Sequence, residues 1–117
     1  MIIAGIGCRS ACPAEDILAL LTDPRITAIA APAAKCSEPG VIAAARALGL
    51  RLIPISPEAL AEAQPRCITH SDRVLAKVGV SSVAEGCALA AAGPDSRLIM
   101  PRTANRSTTC ALAETTP

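Results

Sequence analysis

The sequence predicts an α/β protein: a three-layer α/β/α sandwich around a mainly parallel or mixed sheet of about five strands. Three observations carry that expectation. Short runs rich in Ile, Val and Ala alternate with helical patterns in the first half of the chain, the order from which parallel strands and crossover helices are built. The 117 residues include no Phe, Tyr or Trp but 25 alanines, so small aliphatic side chains must fill the core and let layers approach closely. Hydrophobic residues make up 51% against 18% charged, a balance that excludes a disordered chain. At this length a single domain, residues 1–117, is expected.

Met1–Ile6 is an apolar run that enters the tight turn Gly5-Ile6-Gly7. Pro13 suits a first helical position and Glu15 and Asp16 a first turn, so a helix should run through Ile17, Leu18 and Leu21 and stop before Pro24. Ile26–Ala31 is a second strand, followed by a loop with Lys35, Cys36 and Ser37. Val41–Leu48 is an alanine-rich helix ended by Gly49 as a left-handed cap. Leu50–Ile55 is a third strand, with Pro54 marking an edge or terminus.

Ser56-Pro57-Glu58 starts a short helix that ends before Pro65, and Ser71-Asp72 caps another that ends at Gly79. Ser82-Val83-Ala84-Glu85 fits a capping box, in which Ser accepts from the third helical N–H and Glu reaches back to the cap. That helix runs to Ala92 and stops at Gly93-Pro94. Two strands close the chain, Arg97–Met100 and Thr108–Ala113, joined by a polar loop over Pro101–Ser107.

Composition excludes several functions. Without aromatic rings there is no stacking platform for single-stranded nucleic acid and no cage for a methylammonium group. A net charge of +1 supplies no global field toward nucleic acid or an anionic membrane, and no apolar run approaches the length of a membrane span. The N-terminal residues lack a basic region and a cleavage pattern, so a cytoplasmic protein is expected. The six cysteines, Cys8, Cys12, Cys36, Cys67, Cys87 and Cys110, then read as reduced and mostly buried.

Gly5-x-Gly7 lacks the third glycine of a dinucleotide-binding turn, because Ser10 stands there, and the second strand ends in Ala30-Ala31 rather than an acid. No cofactor is expected. Cys8-x-x-x-Cys12 has one residue too many for a thioredoxin-type pair, and Cys8, Cys12 and His70 lack a fourth spaced ligand, so no metal site is expected.

Gly7-Cys8-Arg9 after the first strand, and Lys35 and Ser37 after the second, should meet at the carboxyl edge of a parallel sheet. Two cations on one rim suit an anion, or are ordinary surface charge. Cys8 beside Arg9 at a helix N-terminus could have a lowered pKa and act as a nucleophile. Glu85 is assigned first to the capping box, and to catalysis second. The Pro101–Ser107 loop carries Arg102 and Arg106 among hydroxyls and an amide, either a carboxylate clamp or a plain hairpin connection.

Taken together, some of these residues are recognisable. Gly5-Ile6-Gly7-Cys8-Arg9, Lys35 with Glu38-x-Gly40, Leu48-Gly49, Val78-Gly79-Val80-x-Ser82-Val83-Ala84-Glu85 and Thr109-x-Ala111-x-Ala113 occur in that order. Over nearly its full length the chain resembles the CobE family of cobalamin biosynthesis proteins, which is similar to the C-terminal domain of the cobalt-precorrin-5A hydrolase CbiG. Two departures stand out. The family often has a glycine soon after Cys-Arg, where this chain has Ser10-Ala11-Cys12, and often has lysine where Arg102 stands.

The resemblance implies an α/β fold and a role in building the corrin ring. Corrin precursors are flat macrocycles fringed with carboxylates. The implied ligand-binding set is Gly5, Gly7, Cys8, Arg9, Lys35, Ser37, Glu38, Arg102 and Arg106. The first reading is an accessory or carrier protein for a polycarboxylate corrinoid or precorrin. The second is a precorrin-lactone hydrolase releasing acetaldehyde, with Cys8, Lys35, Glu38 and Glu85 to test, and the third a docking module for another pathway enzyme.

Overall fold

The computed structural model describes residues 1–68 and 82–115. Five strands form one mixed sheet: β1 (Ile2–Cys8), β2 (Ile26–Pro32), β3 (Arg51–Ile55), β4 (Arg97–Ala104) and β5 (Thr108–Glu114), in the order β3-β2-β1-β5-β4. β1 pairs parallel with β2 and β2 with β3, whereas β5 runs antiparallel to both β1 and β4. Between them lie α1 (Ala14–Leu20), α2 (Pro39–Leu48), α3 (Pro57–Ala63) and α4 (Val83–Ala92), with 3₁₀ turns at Ala33–Lys35 and Gln64–Arg66. The expected helix from Ser71 to Gly79 lies outside the described residues.

The central strand is buried on both faces, so its side chains divide by parity. Ile2, Ala4 and Ile6 pack into a cluster with Ile17 and Leu21 near α1 and Val41 and Ala44 of α2. Ile3 faces the other way, in a cluster with Leu60 of α3 and Cys87 of α4. That is the three-layer sandwich. Gly5 explains how close the second layer sits: a Cβ there would overlap the Ala84 carbonyl and the Ala88 amide. Alanines on α4 and glycine on β1 let helix and strand meet almost backbone to backbone, which a larger core residue would prevent.

Local signals explain most boundaries. Ser56 caps α3 by accepting the Ala59 N–H at 3.1 Å, and Pro57 occupies its first turn. Gly49 ends α2 in the left-handed region, φ 67°, as the sequence predicts. At the far end of α4, Arg66 does the capping from a distance. Its guanidinium donates to the carbonyls of Leu89, Gly93 and Ser96, the first two of which also accept the Gly93 and Ser96 backbone N–H groups.

Two local expectations need correction. β1 does not turn at Gly5–Gly7 but stays in register with β5 through Cys8, opposite Thr108, so the turn begins at Arg9. The Pro101–Ser107 loop is shorter than expected, because β4 continues to Ala104. β4 is an edge strand, so Pro101 breaks no ladder on its outer side, and irregular register between Met100 and Thr103 absorbs it.

Candidate functional site

The parallel strands deliver their carboxyl ends, Cys8, Pro32 and Ile55, to one edge of the sheet. Because β5 runs antiparallel to β1, its first residue, Thr108, arrives at that same edge and brings the β4–β5 turn with it. The result is an open cleft of about 990 Å³ where an α/β sheet ordinarily receives its ligand.

Its apolar surface comes from Pro32, Ala33, Ala34, Ile55, Leu60 and Val83, none of them aromatic. Its charged surface is one-signed. Among the described residues Arg9, Lys35, Arg102 and Arg106 line the cleft, and no Asp or Glu does. Arg106 lies 3.8 Å from Asp16 and is 88% exposed, a loose pair. Arg9, Lys35 and Arg102 have no carboxylate partner among the described residues. In a chain whose net charge is only +1, three such cations on one cleft give it a local positive potential.

The rim is held by contacts between loops. Lys35 donates from Nζ to Ser10 Oγ at 3.3 Å, tying the loop after β2 to the loop after β1. Glu38, at the N-cap of α2, accepts the Ala11 N–H at 3.0 Å. Ala11 is the only described non-glycine residue in the left-handed region, φ 60°, inside a turn closed by the Cys12 N–H on the Arg9 carbonyl. Across the cleft, Asp16 accepts from Ser107 Oγ through its carboxylate and from Asn105 Nδ2 through its carbonyl. Asn105 Oδ1 in turn takes the Thr108 N–H at 3.1 Å. The Arg9 N–H donates to the Ser107 carbonyl, so the first and last loops are joined directly.

The residues singled out from sequence therefore divide. Gly7, Cys8, Arg9, Lys35, Arg102 and Arg106 converge on the cleft, although they come from three separate segments. Gly5, Ser37 and Glu38 are not among its lining: Gly5 faces α4, and Glu38 serves the rim by holding the Ala11 turn.

Cys8 is not the activated thiol that its position beside Arg9 suggested. It ends a strand instead of starting a helix, since α1 begins at Ala14. Burial, and then the hydrogen-bonded Cys12 thiol, push it up to about 12 despite the nearby Lys35 ammonium.

Glu85 is fully buried and only half fulfils the capping box. Ser82 Oγ accepts the Glu85 N–H at 3.4 Å, but the Ser82 N–H goes to Gln64 Oε1. The Glu85 carboxylate instead accepts the backbone N–H groups of Ile68 and Arg102. Among the described residues there is no group of three His, Cys, Asp or Glu side chains placed to hold a metal ion, and no helix long and apolar enough to cross a membrane.

The absence of aromatics implied an aliphatic floor, but sequence reasoning did not name its residues, and it missed Ser10 and the buried Asp16. The floor had a usable signal, because Pro32 and Ile55 close parallel strands. Asp16 had none, since its partners lie 89 and 91 residues away.

Fold and cleft define a class: an open-sheet α/β protein with a cationic, aliphatic-floored cleft at the carboxyl edge of its parallel strands. The particular family follows from comparison with known proteins. The model of the family "Cobalamin synthesis G C-terminus" matches residues 2–113. Protein CobE of Sinorhizobium sp is 31% identical over 96% of this chain and 79% of its own length. The crystal structure of CobE, a protein from the cobalamin (vitamin B12) biosynthetic pathway, superposes with a TM-score of 0.87 at 33% identity, over 97% of this chain and 89% of that one. The cobalamin biosynthesis protein chiG from Agrobacterium tumefaciens str. C58 does so with a TM-score of 0.80 at 30% identity, over the whole of both chains. The chain belongs to the cobalamin synthesis G C-terminus family and is a CobE-type cobalamin biosynthesis protein.

Proposed function

We propose that the protein binds a polycarboxylate corrinoid or precorrin intermediate and acts as an accessory or carrier in the pathway. The observation that carries this reading is the composition of the cleft: among the described residues, three cations without carboxylate partners stand around an aliphatic floor, with no acidic residue in the lining. A carboxylate-fringed macrocycle matches both halves. Its face rests on Pro32, Ala33, Ile55 and Val83, and its fringe meets Arg9, Lys35 and Arg102. Arg is suited to the fringe because its planar fork can take a carboxylate through two N–H groups. No ring stacking is involved, so orientation depends on charge.

The chemistry at the cleft supports a carrier over a lactone hydrolase. The Cys8 thiol stays protonated at neutral pH, and the Glu85 carboxylate is occupied by backbone amides beneath the surface. Absorbance titration of the purified protein with cobyrinic acid tests the proposal. A saturable spectral change is expected, weakened by Arg9→Ala; a titration with no saturable component would sink it.

A further inference from the structure

We infer that Glu85 is a positioning residue for ligand binding, acting through Arg102. The inference rests on the polycarboxylate reading of the cleft and adds a buried determinant to it.

The observations begin with the irregularity in β4. Met100 pairs with Leu112 and Thr103 with Cys110, so Pro101 and Arg102 together oppose Ala111 alone. This two-against-one arrangement is a bulge, and a bulge leaves backbone groups outside the ladder. Pro101 has no N–H to lose. Arg102 has one, and it is taken by Glu85 Oε2 at 2.9 Å. The other carboxylate oxygen accepts the Ile68 N–H at 2.8 Å.

Glu85 lies in the first turn of α4 with no exposed surface, while Ser82 and Val83 of the same turn line the cleft. It reaches the bulge from behind the wall that the ligand would touch. An ionised acceptor makes the stronger kind of hydrogen bond to a backbone amide, and a buried one has little freedom to move. The bulged backbone is thereby fixed at a cationic residue that lines the cleft. Without the carboxylate, a bulge on an edge strand has nothing else in the ladder to fix its direction, and Arg102 would be presented over a range of angles.

Linkage makes this testable in two ways. If the bond from Arg102 to Glu85 favours the ligand, the ligand favours that bond by the same factor. Glu85→Gln keeps size and shape but sets an amide donor against one of the two backbone N–H groups. Titrated with cobyrinic acid, this variant should bind about tenfold more weakly than the unsubstituted protein. The loss should persist in an Arg9→Ala or Arg102→Lys background and shrink to less than about twofold in Arg102→Ala, where no cation remains to be aimed. A role confined to fold stability would lower affinity equally in all backgrounds, and that result overturns the inference while leaving the binding reading intact.

Hydrogen exchange on the unsubstituted protein serves if Glu85→Gln does not fold. Saturating cobyrinic acid should slow exchange of the Arg102 amide at least about fivefold, and unchanged exchange with ligand bound overturns the inference. Failure of the unsubstituted protein to bind cobyrinic acid at all would overturn the polycarboxylate reading, and this inference with it.

Discussion

Replacing Ala11 with glycine should stabilise the protein. Ala11 sits at φ 60° in the turn after β1, where an L-residue with a Cβ is strained by about 1–2 kcal/mol. Glycine removes that strain but loses about 0.5–1 kcal/mol more conformational entropy on folding. The net gain is about 0.5–1 kcal/mol, or about 2–5 °C in Tm for a chain of this size. The methyl group is exposed and does not line the cleft, so cobyrinic acid affinity should stay within about twofold. Thermal and urea unfolding of Ala11→Gly beside the parent protein measures this. A lower midpoint in both would refute the strained turn and the geometry of the rim built on it.

Arg66→Ala should destabilise by about 1–2 kcal/mol, read from the urea midpoint, because one guanidinium bridges the carbonyls of Leu89, Gly93 and Ser96 around the end of α4, two of which keep a backbone donor without it. Lys35→Ala should weaken cobyrinic acid by about two- to fivefold and flatten the salt dependence of binding, with little change in Tm. Stability should also fall in alkali. Burial raises the Cys87 and Cys110 thiols from 9.0 to about 12, so below pH 9 folded and unfolded chains bind the same thiol protons. Between pH 9 and 12 the unfolded chain releases protons that the folded chain keeps, costing about 1.4 kcal/mol per pH unit for each thiol. Urea midpoints that stay level from pH 8 to 10.5 would contradict this, and Cys87→Ala should reduce the slope.

Elements with a local cause were legible in the sequence. β1, β2 and β3 are apolar runs, Ser56-Pro57 starts α3, and Gly49 ends α2 for a steric reason that needs no tertiary context. The arrival of Arg9 and Lys35 on one rim also followed, because parallel strands put the loops after them on the same edge. What failed depended on neighbours. Pro101 predicts a strand end, yet β4 passes through it because its outer side has no strand partner among the described residues and a bulge absorbs the break. Glu85 fits a capping box, but Gln64 takes the Ser82 N–H and frees the carboxylate for two backbone amides far away in sequence. Cys8 beside a cation looked activated, but burial and Cys12 outweigh Lys35. In each case a three-dimensional contact overrode a valid local rule.

The central claim is that the carboxylate fringe of the ligand, held by the cations of the cleft, dominates recognition. Cobyrinic acid and its fully amidated counterpart share a ring and differ in that fringe, so titrating both into the same protein isolates the effect. Three cations contributing roughly 0.5–1 kcal/mol each predict at least about tenfold tighter binding of the carboxylate form, a difference that shrinks as salt is added. Equal affinity for the two, unchanged by salt, would contradict the account.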